Sequence, residues 1–197
     1  IYAEHGIPRE RIAVSGIPVR KMFYERRPTA EAKAAVGIDQ THKHLLVMCG
    51  SMGCGPMKQV LRGLSQNIDD SEDISVVCGN NSELYGSLSK QYADNKNIHI
   101  RGFVEDMSLL MASSDLYLTK PGGISTCEAA QTELPMVLID AVAGVEKYNM
   151  RFFVDNGAAV TADTTSELCD LCLSLLKDDE IRACMKKKLS EIKKSQA

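Results

Sequence analysis

The stretch TKPGGISTCEAA, Thr119 to Ala130, follows the apolar run LYL and leads straight into a helix start. A chain that only had to turn from strand to helix would manage with one glycine. This one has Pro121, Gly122 and Gly123, then Ser125, Thr126 and Glu128. Two readings are open. Ser125 and Glu128 satisfy the S-x-x-E pattern, in which the serine caps the helix and the glutamate returns a hydrogen bond to the main chain. Alternatively, a carboxylate in the first helical turn above a Gly-Gly opening is placed to accept both hydroxyls of a ribose, as an acidic residue does in dinucleotide folds. The double glycine favours the second reading, because a cap alone does not need it.

The same order of strand, loop and helix recurs along the chain. Short apolar or β-branched runs stand at RIAVSG (11–16), HLLVMCG (44–50), DISVVCG (73–79), NIHIRGF (97–103), DLYLTK (115–120), PMVLID (135–140) and GAAVTA (157–162). Helix-length segments fill the intervals, at 28–36, 56–68, 82–95, 106–113, 124–133, 146–156, 165–177 and 179–194. Strand and helix in alternation predict an α/β fold, a Rossmann-like doubly wound parallel sheet. The runs are continuous rather than alternating, as a sheet covered on both faces requires. Ligands of such sheets settle beyond the carboxyl ends of the strands, so the loops after each strand carry the functional question.

Composition narrows the classes. The chain has 197 residues, 44% of them apolar, enough to bury one sizeable core. A net charge of -3 with 25% charged residues supplies no basic field for nucleic acid, and 5% aromatics without tryptophan offer no base-stacking platform. No run of about 18 apolar residues suggests a spanning helix. The seven cysteines are read as reduced thiols of a cytoplasmic protein. Cys169 and Cys172 have C-x-x-C spacing, but they share a helical face with Leu168, Leu171 and Leu175 and read as packing rather than as zinc ligands. His5, His42, His44 and His99 show no triad or metal spacing, so no metal site is expected. The first residue is Ile, and the opening IYAEHGIPRERIAVSG reads as mid-chain, so residues 1–197 are expected to be a single domain cut from a longer protein.

Four loops are candidates for chemistry. In CGSMGCGPMKQV, Gly50, Gly53 and Gly55 follow a strand and Pro56 stands at a helix's first position, so amides and a helix dipole are available to a phosphate; a tight turn explains the glycines equally well. The loop is not a Walker A motif, nor does it match G-x-G-x-x-G. In RGFVEDM, the main chain at Phe103 and Val104 is suited to pair with a planar base, or is simply a strand end before an acidic first helical turn at Glu105-Asp106-Met107. The third loop is the Gly-Gly stretch. In the fourth, LIDAVAGVEKYNM, Gly144 precedes Glu146, Lys147 and Asn149, polar groups suited to a polyhydroxylated ring. Together the four outline a cleft for a sugar joined to a nucleoside diphosphate.

SGIPVR, GSMGCGP, GFVEDM, TKPGGISTCEA and AGVEKYNMRFFVDNGAA resemble, in order and spacing, the C-terminal half of the diacylglycerol glycosyltransferases, the processive glucosyltransferases and monogalactosyldiacylglycerol synthases among them. The resemblance implies the second half of a GT-B architecture, the half that holds the UDP-sugar, UDP-glucose or UDP-galactose. It implies that Phe103 and Val104 pair with uracil and that Glu128 holds the ribose. By the same likeness Gly50, Ser51, Met52, Gly53, Gly122, Gly123, Ile124 and Ser125 approach the diphosphate, with Arg20 as its charge partner. Gly144, Glu146 and Asn149 then lie at the donor sugar.

The implied reaction is hexosyl transfer to diacylglycerol or a glycolipid, with no cofactor and no tightly bound metal. The catalytic base and the acceptor belong to the N-terminal domain in that family, so the isolated chain is expected to bind UDP weakly and catalyse nothing. These enzymes commonly carry Gly-Gln-Glu in the last loop. Here Val145 follows Gly144, which leaves the donor hexose open.

Two rivals share the architecture or the binding: a UDP-N-acetylglucosamine 2-epimerase half and a non-catalytic nucleotide-binding module. A nicotinamide oxidoreductase is disfavoured by the absent fingerprint loop. Residues 179–197 read as a C-terminal basic amphipathic helix, with Lys186, Lys187, Lys188, Lys193 and Lys194 among Ile181, Met185, Leu189 and Ile192. Its apolar side either packs on the domain or lies on anionic membrane, a peripheral association of an otherwise cytoplasmic protein.

Overall fold

In the computed structural model, residues 3–13, 16–25, 27–49, 57–139 and 144–195 are described. Six strands, β1 (Lys43–Met48), β2 (Glu72–Val77), β3 (Ile98–Arg101), β4 (Leu116–Thr119), β5 (Met136–Leu138) and β6 (Ala159–Thr161), make one sheet in the order β3-β2-β1-β4-β5-β6. Every pairing is parallel. The order reverses between β1 and β4, so the connections leaving these two neighbours diverge and open a crevice at their carboxyl ends. Residues 120–122 after β4 lead into a helix that starts at Gly123, while the glycines that follow β1 in sequence, Gly50, Gly53 and Gly55, lie outside the described residues.

The continuous apolar runs have their cause in burial on both faces. Along β1, Leu45 and Val47 point into one core with Ile74, Leu116 and Leu118; they meet α2 (Met57–Ser65), α3 (Ser82–Gln91) and α7 (Thr165–Lys177) through Leu61, Leu88 and Leu176. Leu46 points into the other core with Tyr117 and Met136. There it meets α4 (Met107–Ala112), α5 (Gly123–Gln131), α6 (Val145–Asp155) and α8 (Asp179–Ser195) through Leu110, Ala129, Phe153 and Leu189. Each fully buried side chain of this size contributes about 1.5–3 kcal/mol. On the first face α2 and α7 approach so closely that a Cβ on Gly63 would stand 2.9 Å from Cys169 Sγ. Cys169 and Cys172 are buried in that core, where desolvation pushes both thiols up. They pack, as the helical spacing predicts.

One expectation needs correction. Among the described residues RIAVSG gives no strand: Arg9–Arg11 is a turn of 3-10 helix, and the residues described around it join no ladder. Its described residues are exposed apart from the half-buried Ile12, so no second apolar layer covers them, and β-propensity without burial on a pleated surface does not make a strand. The apolar side of the last helix packs on the domain apart from Ile181, which is 48% exposed. Met185, Leu189 and Ile192 are buried in the domain, and Arg182 is buried with them, donating to the carbonyls of Leu175 and Leu176 that end α7. Of the lysines on this helix, Lys187 is exposed and Lys186, Lys188 and Lys193 are partly so. Among the described residues no helix is long and apolar enough to cross a membrane.

The amino edge of the sheet holds a second polar group of residues. His42 and His99 each hydrogen-bond Asp73 at 2.6 Å, and Lys33 reaches Asp115 at 2.8 Å. His44 lies buried between Ser75 Oγ and the Ser113 carbonyl, and burial holds its pKa down to about 4, so it is neutral. Sequence spacing did not foresee the sharing of Asp73 by two histidines, because the three residues meet only through strand register. Among the described residues no group of His, Cys, Asp and Glu is arranged to hold a metal ion.

Candidate nucleotide-sugar site

The Gly-Gly stretch begins α5 three residues earlier than a serine cap requires. Gly122 is the N-cap, with extended backbone (φ -71°, ψ 137°) and no side-chain capping bond, and Gly123 is the first helical residue. Among the described residues the opening amides of this nine-residue helix have no side-chain cap, and they lie at the positive end of its dipole. Ile124, in the first turn, is 64% exposed. Ser125 donates its hydroxyl to the Gly122 carbonyl at 3.2 Å, and Thr126 does the same at 2.8 Å. The S-x-x-E capping box is thus not formed. Glu128 stands in the second turn rather than the first, which corrects the sequence reading, and its carboxylate is not spent on the main chain.

That carboxylate instead meets Arg20, 108 residues away in sequence. Arg20 Nε and Nη2 both lie 3.0 Å from Glu128 Oε1; the arginine side chain is 54% exposed and the glutamate 5%. Arg20 also sits over the Phe23 ring, 5.1 Å from its centroid. Burial raises the Glu128 pKa above the ordinary carboxylate value, and the arginine opposes that rise. Arg20, expected at the diphosphate, is here the partner of the residue expected at the ribose. Nothing local signals this pairing.

Helix α6 is tied to the same loop. Asn149 Nδ2 donates to the Pro121 carbonyl at 3.0 Å, and Lys120 Nζ stands 3.9 Å from Glu146 Oε1. Gly144 is the N-cap of α6 at φ +64°, a conformation that strains any residue with a Cβ. Glu146 and Asn149, assigned to the sugar, are therefore gathered beside Pro121, Gly122 and Gly123, with the Asn149 amide already engaged in holding the loop. Ile17 completes this corner, since a Cβ on Gly123 would come 2.9 Å from its Cδ1. Ile17 is half-exposed and free to swing, so that contact tolerates change.

Phe103 and Val104 follow β3 at the same carboxyl edge, beyond β2 from the crevice. Phe103 is 68% exposed, and Val104 packs against the second core. Among the described residues neither makes a backbone–backbone hydrogen bond, so the N–H and C=O groups there have no main-chain partner. Asp106 is the N-cap of α4, accepting from Leu109 N at 2.9 Å, so the helix starts one residue later than expected. Gly50, Ser51, Met52 and Gly53 lie outside the described residues.

The described residues thus form a Rossmann-like parallel sheet with the Gly122–Gly123 helix start and the buried Glu128 carboxylate beyond the carboxyl end of β4. The family model of the glycosyltransferase family 28 C-terminal domain matches residues 44–197. The chain belongs to that family. A processive diacylglycerol beta-glucosyltransferase of Bacillus subtilis (strain 168) is 34% identical over 192 residues, covering 96% of this chain and 50% of the relative. One of Staphylococcus carnosus is 32% identical, covering 95% and 48%. The chain spans about half the length of these relatives. Among solved structures, Anabaena HepE in complex with UDP and glucose superposes with a TM-score of 0.72 at 16% identity, over 99% of this chain and 55% of that one. The fold is that of the GT-B glycosyltransferase half, as the motif resemblance implies.

Proposed function

We propose that this chain is the donor-binding half of a hexosyltransferase, holding a UDP-sugar at the β1/β4 crevice, and that the full-length enzyme passes glucose or galactose to diacylglycerol or a glycolipid. The observation that carries this reading is Glu128: a carboxylate almost wholly buried, left out of the cap that its sequence pattern offered, beside the bare amino end of α5. Ionised, it is an acceptor for the two hydroxyls of a ribose. The amides of Gly123, Ile124 and Ser125 take the diphosphate, with the loop at Gly50, Ser51, Met52 and Gly53 on the other side. The main chain of Phe103 and Val104 meets the uracil. Glu146 at α6 lies on the sugar side, with Gly144 and Asn149 shaping that end.

In the transfer, the acceptor oxygen forms its bond to the anomeric carbon as the bond from that carbon to the diphosphate oxygen breaks. The acceptor proton leaves to a base outside this chain. Negative charge grows on the departing diphosphate, and fixed amide dipoles at α5 stabilise it without reorganising, so no metal is required by this scheme. The similarity to glucosyltransferases that act on diacylglycerol supports the acceptor class, and the exposed Lys187 with the partly exposed Lys186 and Lys188 of α8 suits peripheral contact with anionic membrane on the cytoplasmic face.

Calorimetric titration of the chain with UDP, UDP-glucose and UDP-galactose tests the reading. Weak binding of UDP with no turnover is expected, and no heat at millimolar ligand would refute it. An acceptor assay on the full-length protein separates hexosyl transfer from epimerisation of a UDP-sugar.

A further inference from the structure

The segment before the first strand brings Arg20 onto Glu128, and the way it does so has more content than a surface ion pair. Both arginine nitrogens converge on one oxygen, Oε1, at 3.0 Å. The guanidinium is steadied from below by the Phe23 ring, and Phe23 is buried in the second core. Arg20 opens the short 3-10 turn Lys21–Tyr24, so its backbone is set by that turn. We propose that Arg20 is a positioning residue, which grips Glu128 by Oε1 and so turns Oε2 toward the ribose, rather than a ligand of the diphosphate. The inference rests on the donor-site reading above and deepens it.

The electrostatics follow from the burial. A carboxylate with 5% exposure is disfavoured in its charged form, and the largest influence on Glu128 is this desolvation. Arg20 is the group that works against it. The other titratable groups near the carboxylate are the Tyr117 phenol on β4 and the adjacent Cys127 thiol on α5, both pushed up by burial and so neutral. On α8, Lys193 turns to the Gln131 carbonyl and to Glu133, and on α6 the neutral Asn149 amide turns to Pro121. Removing Arg20 therefore leaves burial unopposed. Glu128 then takes up its proton at a higher pH, and a protonated acid has lost acceptor capacity for the ribose.

Uridine, which has a ribose and no phosphate, distinguishes the two roles of Arg20. The chain, Arg20→Met and Glu128→Gln are titrated with uridine and with UDP from about pH 8 down to about pH 5, folding being checked by thermal melts. Arg20→Met is expected to weaken uridine and UDP by a similar factor, on the order of fivefold to tenfold. Its affinity is expected to begin falling at a higher pH than in the parent chain. Glu128→Gln should remove the pH dependence, and adding Arg20→Met to it should change little. Arg20→Lys should recover part of the acid tolerance, as a point charge without the fork. If Arg20→Met leaves uridine unchanged and weakens UDP alone, Arg20 is a diphosphate ligand and the inference fails. An unchanged pH profile likewise contradicts it. A parent chain that binds neither ligand sinks the donor-site reading itself, and this inference with it.

Discussion

Two helices of this molecule begin with the same sequence signature and use it differently. Thr164 and Glu167 at the start of α7 form a complete capping box: Thr164 Oγ1 accepts from Glu167 N at 3.2 Å, and Glu167 Oε2 accepts from Thr164 N at 3.1 Å. Ser125 and Glu128 have the same spacing and form none, because Gly122 and Gly123 start the helix earlier and carry both residues past the capping positions. At α7 the carboxylate satisfies the chain's own amides. At α5 the amides are left bare and the carboxylate is held ready by a distant arginine. A helix start that caps itself has finished its business; one that declines its cap has capacity for a ligand.

The contrast is broken or sharpened by three substitutions. Glu128→Gln has the largest expected effect: UDP affinity drops by about tenfold or more, since hydrogen bonds to a charged group contribute about 1.5–3 kcal/mol, while the melting temperature stays near that of the parent. Titration calorimetry beside a thermal melt reads both, and equal affinity in the two proteins would return Glu128 to a structural role. Thr164→Ala comes next, and its effect lies on the other axis. Loss of the cap costs about 1 kcal/mol, a shift of about 2–4 °C for a chain of this size, with UDP affinity unchanged. Ser125→Ala is the smallest, below about 0.5 kcal/mol in stability, since the hydroxyl only doubles a bond that Thr126 already makes to the Gly122 carbonyl. A loss at Ser125 as large as that at Thr164 would mean that α5 is capped after all.

The amino edge of the sheet extends the comparison to pH. His44 is neutral in the fold, with its pKa held near about 4 by burial, against 6.5 in the unfolded chain. The unfolded state binds the proton first, so stability falls as pH drops from about 6.5 toward about 4 and is then level, by on the order of 3 kcal/mol from this group. Denaturant melts at a series of pH values measure this. His44→Gln should flatten the curve in that window, and a curve as steep as that of the parent would place the acid sensitivity elsewhere.

What was legible in the sequence follows from what is local. LLVM at 45–48 reads as an interior parallel strand because it is covered on both faces, and the loops after β1 and β4 declare themselves by glycine. RIAVSG misleads because the same residue types, without a covering layer, have no reason to extend. The S-x-x-E pattern misleads at α5 for a steric reason only the backbone shows. Residue choice alone cannot say whether the helix is capped at Gly122 or at Ser125, and a shift of three positions takes Glu128 out of the cap. The pairing of Arg20 with Glu128 joins a loop before the first strand to the fifth helix. It depends on how the chain crosses the finished sheet, as does the meeting of His42 and His99 on Asp73 through the register of separate strands.

A crystal of the chain grown with UDP puts the whole scheme to its most direct test. The predicted density has the ribose hydroxyls on Glu128 Oε2, Arg20 still on Oε1, and the diphosphate against the amides of Gly123 and Ile124. Nucleotide bound away from the β1/β4 crevice, or a crevice that excludes it with Glu128 turned to the main chain, would contradict it.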